Sequence, residues 1–342
     1  MRARALVIVF GAVALLSALS TLGHEAVAQS SGDADLRQRA AQIFGTPPAV
    51  AESKENPVTE EKVALGRMLY YDKRLSIAND IACNSCHLLS NFGVDNQPTS
   101  PGHKGQRGDR NSPTVYNAAF HVAQFWDGRA PTVEEQAKGP VLNAVEMGMP
   151  SDTEVLTRLR GIDGYVKAFR TAFPGETDPV TYDNFGRAVG AFERKLVTPA
   201  PFDDYLAGKT GALTEQQRKG LDRFITSGCV TCHSGPLFGG AMFQKLGLVK
   251  PYPTKDPGRF NVTKNEADRG FFKVPSLRNV AKTGPYLHDG SIATLPQAVR
   301  LMGEYQLGRT LADEDVTLIV AFLEGLTGRI DEQYVKEPPL PK

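Results

Sequence analysis

Cys83-Asn84-Ser85-Cys86-His87 and Cys229-Val230-Thr231-Cys232-His233 hold all four cysteines of the chain. Both stretches read C-x-x-C-H. With 6 histidines in 342 residues, a histidine after both pairs by chance has odds of roughly one in 3,000. C-x-x-C-H is the attachment signature of c-type haem: two thiols add to the haem vinyl groups, and the adjoining histidine is the proximal iron ligand. Two disulfides are the default expectation for an exported chain, but they leave both histidines without a part. One four-cysteine zinc site has to bring the pairs together across 143 residues and also leaves the histidines idle. A thioredoxin-like redox pair wants a βαβ setting that neither motif has. The motifs therefore predict two covalent haems, on Cys83, Cys86 and His87 and on Cys229, Cys232 and His233.

The chain repeats itself around these motifs. Val58-Thr59-Glu60-Glu61 and Leu213-Thr214-Glu215-Gln216 each begin a helix, with threonine as N-cap and acid in the first turn. Gln217 stands at the capping-box position of the second. Phe-Gly follows each motif histidine at the same distance, as Phe92-Gly93 and Phe238-Gly239. Pro113-Thr114-Val115-Tyr116-Asn117 pairs with Pro275-Ser276-Leu277-Arg278-Asn279, and Asp127-Gly128 with Asp289-Gly290. Thr132-Val133 and Thr294-Leu295 stand at equal distances after those aspartates. Matched spacing of this kind implies two homologous units. Strand signals are sparse, and Lys250 to Arg269, rich in proline, glycine and charge, reads as a surface loop. The predicted fold is mainly α: two tandem cytochrome c-type haem domains with long irregular loops. Their expected limits are 29–205 and 206–328, followed by a tail at 329–342.

The copies differ where it matters. Met302, on a helix expected from Leu295 to Gly303, stands thirteen residues after Asp289, whereas the same offset from Asp127 gives Pro140. Methionine is a sixth ligand that raises a haem potential, and proline cannot ligate iron. The second haem is thus expected to be closed and the first to lack a ligand at that place, unless Met147 or Met149 reaches it. His103 lies in Ser100-Pro101-Gly102-His103-Lys104-Gly105-Gln106-Arg107-Gly108, a glycine-rich loop with low barriers to rearrangement. Trp126, the only tryptophan, precedes Asp127, where the second copy has His288. Gln136 and Glu146 follow. Glu146, if buried, has a raised pKa and becomes an acid–base candidate.

Hydrophobic residues make up 41% and charged residues 23% of the chain, so a packed core is expected and general disorder is excluded. The net charge of +1 does not fit a nucleic-acid binder. Arg2 and Arg4, the apolar run Ala5 to Leu22 and Ala26-Val27-Ala28 read as a signal peptide over residues 1–28, with a mature start near Gln29. An uncleaved anchor fits less well, since the apolar run is short and the cleavage site follows it. Export to the periplasm with no stable membrane insertion is the expectation.

With these residues assembled, the sequence resembles the bacterial dihaem cytochrome c peroxidases from about Val58 to about Gly328. The resemblance is carried by Cys83 to His87, Asn111-Ser112-Pro113-Thr114, Phe125-Trp126-Asp127-Gly128-Arg129, Val274 to Val280 and Pro285-Tyr286-Leu287-His288-Asp289-Gly290. It implies a low-potential peroxidatic haem on Cys83, Cys86 and His87, and a high-potential haem on Cys229, Cys232, His233 and Met302 that receives electrons. It implies that His103 is a removable distal ligand, that Gln136 and Glu146 position and protonate hydrogen peroxide, and that Trp126 lies between the haems. It further implies one calcium ion held by the Asn111 side chain and the carbonyls of Thr283 and Pro285, a homodimer, and a small cytochrome c or blue-copper protein as electron donor. Two rival functions remain at this point. A dihaem electron-transfer cytochrome without catalysis has no use for the His103 loop with Gln136 and Glu146. An oxidase that matures a tryptophan-derived quinone replaces the distal methionine by tyrosine and lacks the loop histidine.

Overall fold

The structure, a computed structural model, describes residues 32–342; the expected signal peptide lies outside the described residues. Helices dominate, joined by long irregular segments. Two hydrophobic cores organise them.

The first core is built on α2 (Glu60–Tyr71) and α7 (Tyr182–Glu193), with α4 (Val133–Leu142), α5 (Asp152–Arg160) and α6 (Asp163–Ala172) around them. Leu65, Leu69, Phe185, Val189 and Phe192 are fully buried at its centre. The second core is built on α9 (Glu215–Thr226) and α12 (Asp313–Glu324), with α8 (Pro201–Leu206) and α11 (Leu295–Leu301). Its centre is aromatic: Phe202, Phe224, Phe238 and Phe322 meet with ring centroids 5.0–6.4 Å apart, in the tilted and edge-on geometries that rings favour.

The duplication read in the sequence is visible in three dimensions. Thr59 caps α2 and Thr214 caps α9, each through its side-chain oxygen, and Gln217 closes the capping box by accepting from the Thr214 N–H at 2.9 Å. Thr132 and Thr294 cap α4 and α11 in the same way. A Cβ at Gly66 would overlap the Ala188 carbonyl, and one at Gly220 would overlap the Leu318 carbonyl. The paired helices α2/α7 and α9/α12 therefore approach along the same glycine notch. Phe92 and Phe238 share φ 54°, and Asn117 and Asn279 have φ 61° and 62°. These two asparagines converge: both side-chain amides donate to the hydroxyl of buried Thr198, at 3.0 and 2.9 Å.

Sequence order and packing part company at the chain ends. The helix over residues 32–43, here α1, sends Leu36, Ala40 and Phe44 into the second core, as do Phe202 and Tyr205. Tail residues Ile330, Tyr334 and Val335 pack onto the first core. The Lys250–Arg269 segment is mostly irregular but carries a short helix, α10 (Phe260–Thr263), and a 3-10 turn over Glu266–Asp268. The only strands among the described residues, β1 (Phe243–Lys245) and β2 (Phe271–Lys273), pair antiparallel on either side of it.

Candidate functional site

The second motif opens onto a large, mainly apolar cavity. Cys229, Cys232, His233 and Met302 all line it. Gly228, at φ 91°, turns the chain out of α9 into the motif. His233 Nδ1 is 2.9 Å from the Phe238 carbonyl, which fixes the ring, and burial lowers the ring's pKa, so the imidazole stays neutral. Met302 begins a π-helical turn, Met302–Gln306, directly after α11. The helix expected from Leu295 to Gly303 thus changes winding at the methionine.

The first motif forms the one-turn helix α3 (Cys83–Cys86), with His87 as its C-cap. Tyr70, fully buried, donates to the His87 carbonyl at 2.8 Å. His87 Nδ1 is buried without a partner among the described residues, and burial lowers the ring's pKa. Among the described residues the four cysteines form no disulfide, and each is half-buried. Cys83 borders the first core and Cys229 the second. Among the described residues no group of three or more His, Cys, Asp or Glu side chains is placed to hold a metal ion. A single four-cysteine zinc site is therefore not built. Each pair instead has a buried neutral histidine beside it, and the second also has a roomy apolar cavity. This donor set fits a covalent haem.

Around the first motif the structure brings together His103 and Glu146. The His103 N–H donates to the Glu146 carbonyl at 2.7 Å. A Cβ at Gly102 would overlap the Val145 carbonyl, and one at Gly148 would lie 3.3 Å from the His103 ring. Glycine at both positions lets the loop lie flat on the Asn143–Met149 turn. His103 Nδ1 is buried without a partner among the described residues. Burial raises the Glu146 pKa, while the charge of Arg129 and a 2.8 Å hydrogen bond from the Asn143 amide oppose the rise. A cleft of about 310 Å3 lies beside Glu146, bounded by Phe125, Arg129, Pro140 and Asn143. Pro140 sits inside α4. Gln136, half-buried on α4, is not among the residues lining this cleft. Met147 and Met149 are packed in the first core.

The two halves meet at Trp126. Its indole N–H donates to the Asn111 carbonyl at 2.9 Å, and its ring lies edge-on to His288, centroids 6.5 Å apart. The residues that occupy equivalent places in the two copies thus face each other across the junction. Arg110 ties Asp127 to Asp256, at 2.5 and 2.7 Å, which joins the first half to the 250–269 segment. Asn111, Thr283 and Pro285 line the same cavity wall. The Asn111 amide nitrogen donates to the Gln97 and Pro98 carbonyls, and Asn96 donates to the Lys282 and Gly284 carbonyls.

Sequence reading missed Asn143, Arg129 and Arg110. Arg129 and Asp127 stand in a motif run, and their proximity was available as a signal. The Arg110–Asp256 bridge spans 146 residues and has no local signature.

Comparison with known proteins agrees with this geometry. A family model described as di-haem cytochrome c peroxidase matches residues 60–211. A cytochrome c551 peroxidase of Pseudomonas aeruginosa is 47% identical over 313 residues, 90% of each chain. One of Nitrosomonas europaea is 48% identical over 289 residues, 83% of this chain and 85% of the relative. The crystal structure of a MauG-like protein associated with microbial copper homeostasis superposes with a TM-score of 0.78 at 30% identity, covering 85% of this chain and 97% of that one. The chain belongs to the di-haem cytochrome c peroxidase family. It is an oxidoreductase, a mainly helical peroxidase with two haem c groups.

Proposed function

We propose that the protein reduces hydrogen peroxide in the periplasm, in the sum H2O2 + 2 e− + 2 H+ → 2 H2O. Electrons come from a small cytochrome c or blue-copper protein and enter at the C-terminal haem, and peroxide is reduced at the N-terminal haem. Cys83, Cys86 and His87 hold the first haem, and Cys229, Cys232, His233 and Met302 hold the second. Haem supplies one-electron redox chemistry and an iron centre for cleaving the peroxide O–O bond.

The observation that carries this reading is the inequality of the halves. Met302 lines the second cavity, while Pro140, its counterpart, borders an open cleft that contains Glu146. In that cleft Glu146 holds a proton for the departing oxygen, favoured by its burial. Asn143 fixes the carboxyl through Oε1. The family resemblance gives Gln136 on α4 a part in orienting the substrate, from a position outside the lining of this cleft. The His103 loop closes over the same turn and opens when the protein is activated, a population shift of a glycine-hinged segment. Trp126 occupies the contact between the halves and serves as the relay across it. Asn111, Thr283 and Pro285 hold a calcium ion through oxygen ligands at the same junction, and the active form is a homodimer. No helix among the described residues is long and apolar enough to cross a membrane, in keeping with a periplasmic protein released by cleavage after Ala28.

The test is spectroscopic and kinetic. Holoprotein should carry two haems that stay bound on denaturation, and it should consume peroxide when reduced donor is present. Two haems that remain six-coordinate at every reduction level, with no peroxide turnover, would leave only an electron carrier.

A further inference from the structure

Lys273 is buried, at 7% exposure, on β2. Among the described residues its ammonium has one hydrogen-bond partner, His121 Nδ1 at 2.9 Å, and no carboxylate. The other ring nitrogen, His121 Nε2, is buried with no partner among the described residues. Both side chains line the cavity that holds Cys232, His233 and Met302. The arrangement is built. A Cβ at Gly240, which has φ 77°, would overlap the His121 ring, and the Val122 N–H donates to the Gly240 carbonyl at 2.8 Å, so the ring is seated against the backbone two residues beyond Phe238. The Lys273 N–H donates to the Trp126 carbonyl at 2.8 Å, which fixes the lysine at the junction of the halves.

A buried ammonium without an anion is costly, and so is a buried ring nitrogen without a partner. Both costs vanish if an acidic group enters the cavity between them. We propose that Lys273 and His121 bind a carboxylate side arm of the C-terminal haem, and that the Lys273 charge raises the reduction potential of that haem above that of its twin. The inference rests on the reading that a haem is attached at Cys229 and Cys232. A fixed positive charge in a low-dielectric wall favours the state carrying one more electron. The first copy has no counterpart of this contact: Pro113 aligns with Pro275, and the residue two places before it, which matches Lys273, is the neutral Asn111. Lys273 therefore adds to the inequality that Met302 begins.

The experiment is a spectroelectrochemical titration of the holoproteins Lys273→Met and Lys273→Arg beside the unaltered protein, reading each haem separately. In Lys273→Met the higher midpoint should fall by at least a tenfold change in the one-electron equilibrium, about 59 mV. In Lys273→Arg most of the original potential should be kept. A higher midpoint unchanged in Lys273→Met, or a shift confined to the lower-potential haem, overturns the proposal. If Lys273→Met fails to load haem, resonance Raman decides between the unaltered protein and Lys273→Arg: the carboxylate bending band of the second haem should move with the change of donor, and a band that stays put overturns the assignment. The covalent haem count of the unaltered protein separates the two levels. A count short of two sinks the underlying reading, whereas two haems with an unmoved potential sink only this inference.

Discussion

The backbone N–H of His103 donates to the carbonyl of Glu146 at 2.7 Å. The loop histidine and the residue proposed as acid–base group are thus joined backbone to backbone. Withdrawing the loop breaks a backbone hydrogen bond to the residue expected to handle protons. Replacing His103 by glycine removes the ring while leaving that N–H in place. The His103→Gly protein should turn over peroxide without prior reduction. A continued need for reductive activation would refute the gating assigned to this loop.

Glu146 is half-buried, held by Asn143, and its carboxyl is pushed above the ordinary glutamate range by burial. Glu146→Gln keeps the shape and removes the proton. Peroxide turnover should drop on the order of 10²-fold or more, measured under steady state with saturating donor. Full rate in this variant would take Glu146 out of the mechanism.

Met302 stands at the change from α-helical to π-helical winding, facing the second cavity. Met302→Leu fills similar space without a ligating sulfur. The potential of the second haem should fall, since methionine ligation raises it. A redox titration that superimposes on that of the unaltered protein would reject Met302 as ligand.

Thr198 joins the halves through one hydroxyl that accepts from both Asn117 and Asn279. Thr198→Val strands two buried amide donors. Each such loss costs about 1–3 kcal/mol, so denaturant unfolding should show a loss of about 2 kcal/mol or more. A change within the noise of a surface substitution would mean that the two amides find other partners.

Burial pushes the Glu193 carboxyl up to about 8, helped by the nearby charge of Glu134. The folded chain therefore keeps a proton that the unfolded chain has already released. This contribution to stability is complete below the ordinary glutamate range and is lost as pH rises through about 8. Glu193→Gln should melt higher than the unaltered protein at pH 9 and near it at pH 4. Parallel melting curves across that range would contradict a neutral Glu193.

Much of this was legible because the sequence is written twice. The motif cysteines, the threonine caps and the asparagines at positive φ recur at fixed spacing, and each is a local device whose meaning does not depend on distant partners. Met302 and Pro140 were legible as a contrast for the same reason. What could not be read depends on contacts across the chain. Lys273 reaches His121 over 152 residues, and Arg110 reaches Asp256 over 146. Both lysine and arginine look like ordinary surface charge in a local window. The packing of α1 into the second core leaves no trace either, since an amphipathic helix does not name the surface it will cover. The π-helical turn at Met302 escaped because it begins where an α-helix has good reason to continue.

The termini carry a last consequence. Leu36, Ala40 and Phe44 complete the core farther along the chain, while Tyr334 donates to the Phe192 carbonyl at 2.7 Å back in the earlier one. Each lobe borrows a strap from the opposite end of the polypeptide. Neither lobe, produced alone by cutting near residue 205, would possess all its own wall, and a chain nicked there would still hold together. The two lobes are buckled crosswise, so they should melt as one body rather than as beads on a string.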